Sequence, residues 1–106
     1  MGDAVRRGEV WLATAGRKTR PVLLLTRPEV LDARSLVTVA EITTSVRGLA
    51  AEVGVDHVEV GLDRPSVVNC DGLHTVDQAS LTGPVGRVGD DVMREVCSAV
   101  SYALGC

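Results

Sequence analysis

Arg20-Pro21-Val22-Leu23-Leu24-Leu25-Thr26 and Ile42-Thr43-Thr44-Ser45-Val46-Arg47-Gly48 are the stretches on which the fold of this chain turns. The first is a continuous apolar run, entered through Arg-Pro, of the kind that forms a strand buried on both faces. Pro28 is expected to end it. Just before it, residues 9–13 alternate in polarity and put Val10 and Leu12 on one face, so they predict a partner strand. A tight polar turn over 14–19, with Gly16 inside it, joins the two. The second stretch closes a strand over 36–42 and opens a polar turn through Thr43, Thr44, Ser45, Arg47 and Gly48. Further on, 51–55 and 57–60 read as short strands around Asp56, and 66–69 and 74–76 as strands separated by a Cys70-Asp71-Gly72 turn of the Asp-Gly type. A shorter turn is expected near 78–81. Only the end is helical in pattern: Val92, Val96, Val100 and Leu104 recur every four residues, with Met93, Cys97 and Ala103 widening the apolar face. Asp90 is the expected cap and Gly105 the expected stop. Many short strands and one closing amphipathic helix predict a mostly β fold, a small curled sheet or barrel with the helix packed on it.

Composition narrows the function. The 106 residues have room for one domain, spanning 1–106, with no stretch that reads as a linker. Apolar residues make up 45%, yet Phe is absent and Trp11 and Tyr102 are the only aromatics, so the core must be built from Val, Leu, Ile and Ala. So few large anchors hint at pairing with a second copy. Cys70, Cys97 and Cys106 are odd in number and form no CxxC pair, which fits small thiols in a reducing cytosol better than a redox or nucleophilic role. No apolar run has the length of a signal peptide or a membrane span, so a soluble, cytoplasmic protein without a membrane partner is expected. Net charge is −3, but up to Arg47 the chain holds eight basic and five acidic residues, against three and nine in the remainder. That asymmetry permits a basic site on an acidic protein. There is no P-loop, GxSxG or dinucleotide fingerprint. His57 and His74 have no clustered Cys or carboxylates around them, so no metal and no cofactor are expected. Each reads as a surface or satisfied strand histidine.

Taken in order, Arg7-Gly8-Glu9-Val10-Trp11, the Arg20-Pro21 run, Ile42-Thr43-Thr44 through Arg47-Gly48 to Glu52-Val53, Gly61-Leu62, and Ser66-Val67-Val68-Asn69-Cys70-Asp71 resemble the MazF/PemK toxins of bacterial toxin–antitoxin pairs. The resemblance runs from about Arg6 to Gly105. It implies an SH3-like small β-barrel, a homodimer, and sequence-specific, metal-independent cutting of single-stranded RNA, mRNA above all. The products would carry 2′,3′-cyclic phosphate and 5′-OH ends. It also implies a cognate antitoxin whose acidic tail lies across the RNA site. The family's catalytic pair, the Arg of the RP motif and the first Thr of the TT motif, falls on Arg20 and Thr43.

The chemistry of these two side chains suits that assignment. Attack of a ribose 2′-OH on the adjacent phosphate needs an activated hydroxyl, stabilised phosphorane-like oxygens and a leaving oxygen. Arg20 offers a permanently charged planar fork for phosphate oxygens, and the Thr43 hydroxyl can donate to a non-bridging oxygen. Arg17 and Lys18 are expected phosphate contacts; Thr44 and Arg47 read equally as contacts or turn residues. Asn69 and Asp71 could read base edges or merely shape their turn. Many relatives carry a Glu in the first loop, but Ala15-Gly16-Arg17-Lys18-Thr19 has no carboxylate, which leaves the general base open with Glu41 as a candidate. Two rivals remain at this point: a gyrase poison of CcdB type, although this chain ends Leu104-Gly105-Cys106 rather than Trp-Gly-Ile, and a silent RNA- or protein-binding barrel.

Overall fold

A computed structural model describes residues 5–15, 18–27 and 35–105. Six strands and a helix follow in order: β1 (Glu9–Ala15), β2 (Lys18–Leu24), β3 (Leu36–Thr43), β4 (Glu52–Val55), β5 (Ser66–Asp77), β6 (Leu81–Arg87) and α1 (Asp90–Leu104). All pairings are antiparallel and the sheet order is β4-β5-β3-β2-β1-β6.

The expected mostly β fold with a C-terminal helix is present, but the sheet is not closed into a barrel. β4 and β6 are its edges, and no ladder joins them among the described residues. What lies between these edges is a close backbone approach. A Cβ on Gly61 would collide with the Val85 carbonyl, and one on Gly86 with the Val60 carbonyl. Gly61 also has φ +76°, a conformation that a side chain would strain. β4 has only four residues, and this glycine-lined backbone contact, not a ladder, lies between the two open edges.

The expected elements shift in informative ways. The first turn is tighter than 14–19, because Thr14 pairs with Thr19 and Ala15 with Lys18. Gly16, Arg17 and Pro28 lie outside the described residues. Arg20 therefore stands inside β2 rather than at its start. Residues 57–60 are not a strand: Asp56 Oδ1 accepts the Val58 amide at 3.1 Å, and Leu62 N donates to His57 O at 2.7 Å, so the segment turns back. The strands expected at 66–69 and 74–76 are one continuous β5. Both ends of β5 pair with β3, not with each other, and Cys70-Asp71-Gly72 is a bulge between Glu41↔Asn69 and Ala40↔Leu73. β6 is an element that the sequence did not suggest; Gly83-Pro84-Val85-Gly86 suits only an edge. The turn expected near 78–81 is a 3-10 turn over 78–80, with the Asp77 carboxylate accepting the Ala79 amide. In α1 the cap is Gly89, not Asp90, which is already helical and lies with Asp91 at the positive end of the helix dipole. Gly105 ends the helix in the left-handed conformation, φ 73°.

Strand alternation divides the apolar residues between two faces. On one, Val10, Leu23, Ala40, Ile42, Val68 and Cys70 pack with Val96 and Ala99 of α1. On the other, Trp11, Val22, Leu24, Val37 and Val39 form a second cluster. Leu104 and Cys97, expected on the apolar stripe of α1, are exposed. Gly86→Ala should lower the unfolding free energy by about 1–3 kcal/mol, the usual cost of overpacking. A denaturation midpoint equal to the parent's would mean that the Val60–Gly86 contact is not close-packed.

Candidate functional site at the polar end of one sheet face

The second face changes character along its length. Val37 and Val39 of β3 are followed at the same parity by Glu41 and Thr43, and Leu24 and Val22 of β2 by Arg20. The register sets Val22 opposite Glu41 and Val39 opposite His74. Pro21 has no N–H to donate, and β2–β3 pairing stops at Val22, while β1–β2 pairing continues to Lys18. The β2 end thus parts from β3. The gap is a cleft of about 360 Å³ whose polar lining comes from Arg20, Thr43, Thr44, Asp63, Arg64 and Ser66.

The bulge in β5 decides what faces Glu41. In a regular strand Asn69 and His74, five residues apart, would point to opposite faces. The three inserted residues restore a common side, and both flank Glu41. Gly72 leaves room for this: an added Cβ would lie 2.9 Å from Glu41 Oε2 and 3.0 Å from Asn69 Nδ2. Arg20 Nη1 donates to Glu41 Oε1 at 3.3 Å, and His74 Nε2 lies 3.3 Å from Glu41 Oε2. Glu41 is the most enclosed of the three, with its side chain 28% exposed against 50% for Arg20 and 54% for His74.

Arg20 and Thr43 therefore share one cleft, and Thr44 lines it too. Thr43 Oγ1 accepts the Ser45 amide at 3.1 Å, which fixes the hydroxyl oxygen and leaves its proton to be donated elsewhere. Lys18 is exposed at the start of β2. Arg17 lies outside the described residues. Arg47 sits on the loop after β3, where the Glu52 carboxylate accepts the amides of Arg47, Gly48 and Leu49; the Arg47 side chain is exposed. Asn69 Oδ1 accepts the Asp71 amide at 3.1 Å, so this pair shapes the bulge, with Asp71 exposed. Sequence reading missed Arg64, which the β4–β5 connection brings to the cleft; His74 is the surface strand histidine expected, and its acidic partner stands on another strand. An Arg-Pro step precedes both Pro21 and Pro65, but Arg27-Pro28 shares it, so that signal selects nothing.

A larger groove, about 660 Å³, runs between β4 and α1. Its charged lining is Glu52, Asp91 and Glu95 against Arg94, an acidic balance that repels phosphates. Among the described residues no three His, Cys, Asp or Glu side chains gather as a metal site. No helix among them is long and apolar enough to cross a membrane. Cys70 is buried, with Sγ 3.9 Å from Val96 O. Burial first, then the charges of Asp71 and Cys97, push its thiol up to about 11, so it is no nucleophile at neutral pH.

A family model described as PemK-like, MazF-like toxin of type II toxin–antitoxin system matches residues 6–104. "Probable endoribonuclease MazF5" of Mycobacterium tuberculosis is 39% identical over 103 residues, covering 94% of this chain and 93% of that protein. The solved structure of Mycobacterium tuberculosis toxin MazF-mt6 superposes with a TM-score of 0.84 at 41% identity, covering 92% of this chain and 96% of that one. A mycobacterial endoribonuclease solved in complex with its cognate antitoxin shares the fold, with a TM-score of 0.87 at 24% identity over 96% of each chain.

With Cys106 replaced by Ser, a thiol reagent at pH 8 should label Cys97 promptly and Cys70 only after unfolding. Two fast equivalents in the native protein would contradict the burial of Cys70.

Proposed function

The chain belongs to the PemK-like, MazF-like toxin family of type II toxin–antitoxin systems, and on that footing we propose that it is an endoribonuclease that cuts single-stranded RNA, mRNA above all, in a sequence-specific, metal-independent way. The observation that carries this reading is the cleft that holds both Arg20 and Thr43. It lies where Pro21 parts β2 from β3, beside an apolar cluster that holds its walls.

The reaction joins the 2′ oxygen to phosphorus and breaks the bond to the 5′ oxygen, giving a 2′,3′-cyclic phosphate and a 5′-OH. Arg20 keeps the Nη1 hydrogen bond to Glu41 and turns its remaining N–H groups to the non-bridging phosphate oxygens, where its planar fork neutralises developing charge. Thr43, its oxygen held by the Ser45 amide, donates its proton to the same phosphate and keeps the attack in line. Arg64, on the opposite wall, joins Arg17, Lys18, Thr44 and Arg47 in holding neighbouring phosphates. Asn69 and Asp71 offer hydrogen-bonding groups at the bulge for base edges. A cognate antitoxin is the expected partner, as in the mycobacterial complex, and a two-fold homodimer the expected assembly.

Arg20→Ala should slow cutting of a defined RNA by about 100-fold to 1000-fold, the usual loss for one preorganised donor. Thr43→Ala should lose less. Cutting should persist in excess EDTA and stop when the ribose before the scissile phosphate is replaced by deoxyribose. An Arg20→Ala variant as fast as the parent would remove this site from the reaction.

A further inference from the structure

The reaction proposed above needs a positioned group to take the 2′-OH proton, and the one carboxylate that lines the cleft, Asp63, is exposed with no hydrogen bond among the described residues to fix it. A guanidinium stays charged at all working pH values, and a threonine hydroxyl is no base near neutrality. Glu41 is the carboxylate bonded to Arg20, but both its oxygens are engaged, Oε1 by Arg20 and Oε2 by His74. It is a linker between a cation and an imidazole rather than a free base.

We propose that His74, aimed by Glu41, is the general base that removes the 2′-OH proton, an inference that rests on the ribonuclease reading. A carboxylate only accepts hydrogen bonds, so the His74 nitrogen facing it must be the donor. Neutral His74 then carries its proton on Nε2 and its lone pair on Nδ1. The ring is half exposed, which leaves Nδ1 open to a ligand. Arg20 and His74 are linked through one carboxylate and two hydrogen bonds, so the imidazole stands beside the guanidinium that the proposed reaction sets on the scissile phosphate.

The step balances. The 2′ oxygen bonds to phosphorus as its proton passes to His74 Nδ1. The bond from phosphorus to the 5′ oxygen breaks, the electron pair leaves with that oxygen, and water supplies its proton. The imidazolium that forms lies against the Glu41 carboxylate. Glu41 is thus a positioning residue that fixes the tautomer and offsets the charge. Of the charged groups, Glu41 on β3 faces His74 directly and Arg20 on β2 lies beyond it, while Asp71 and Asp77 stand three residues to either side along β5.

The test is single-turnover cutting of a defined RNA between pH 5 and 8.5, for the parent chain, His74→Gln and His74→Ala. A neutral imidazole is the active form of a base, so the parent rate should rise with pH and then level off. His74→Gln should cut about 100-fold more slowly, without that rising limb. Added imidazole should restore part of the rate of His74→Ala, which a packing role would not allow. Affinity for an RNA with deoxyribose at the scissile position should be unchanged in both variants. A parent rate that falls with rising pH would identify His74 as a phosphate-binding cation and overturn the proposal, whatever the variants do. So would His74→Gln at the parental rate. If the parent cuts no RNA, the ribonuclease reading and this inference fall together; if it cuts and His74→Gln cuts equally well, only the base assignment falls.

Discussion

Three residues inserted into β5, Cys70 to Gly72, set the geometry on which both faces of the sheet depend. They break the period-two alternation between Asn69 and His74 so that both flank Glu41, and they turn Cys70 inward against Val96 of α1. One bulge therefore does two things. It seats the helix on the first cluster and assembles the polar group on the second face. Gly72 is the small residue that makes the crossing feasible, since Glu41 and Asn69 occupy the space that a Cβ would need.

Electrostatics on that face run against the chain's overall charge of −3. Arg20 and Arg64 line the cleft and Lys18 shares the face of Arg20, while acidic residues gather at the β4–α1 groove. Around the cleft Asp63 and Glu41 are the acidic exceptions, and the enclosure of Glu41 between two basic partners offsets its charge beside the proposed phosphate site. In the free protein it holds Arg20 in place. Arg20 has further N–H groups, so in the proposed reaction it can meet a phosphate while keeping its bond to Glu41.

Much of the fold was legible because its decisive elements follow simple periods. The apolar run after Arg20-Pro21, the alternation of 9–13 and the four-residue repeat of α1 each identify an element, and the ordered motifs identify the family. The failures have physical causes. β6 has neither alternation nor β-branched runs, only glycines and a proline tolerated at an edge. β5 was read as two strands because Asp-Gly signals a turn, and a bulge uses the same residues. Of the site, Arg20, Thr43 and Thr44 were readable from motif and do share a cleft, and Glu41 was a candidate by its place beside them. His74 was not, because a search for neighbours along the chain cannot find an acid 33 residues away. Arg64 reaches the cleft only through the turn at 56–61, which read as a strand.

The identity of the RNA ends formed by the purified chain tests the central claim most directly. A defined single-stranded oligonucleotide, incubated without metal and weighed by mass spectrometry, should give one fragment ending in a 2′,3′-cyclic phosphate and one beginning with a 5′-OH. Fragments with 5′-phosphate ends, or an oligonucleotide left whole under conditions where the protein is folded, would contradict a 2′-OH attack at the Arg20–Thr43 cleft.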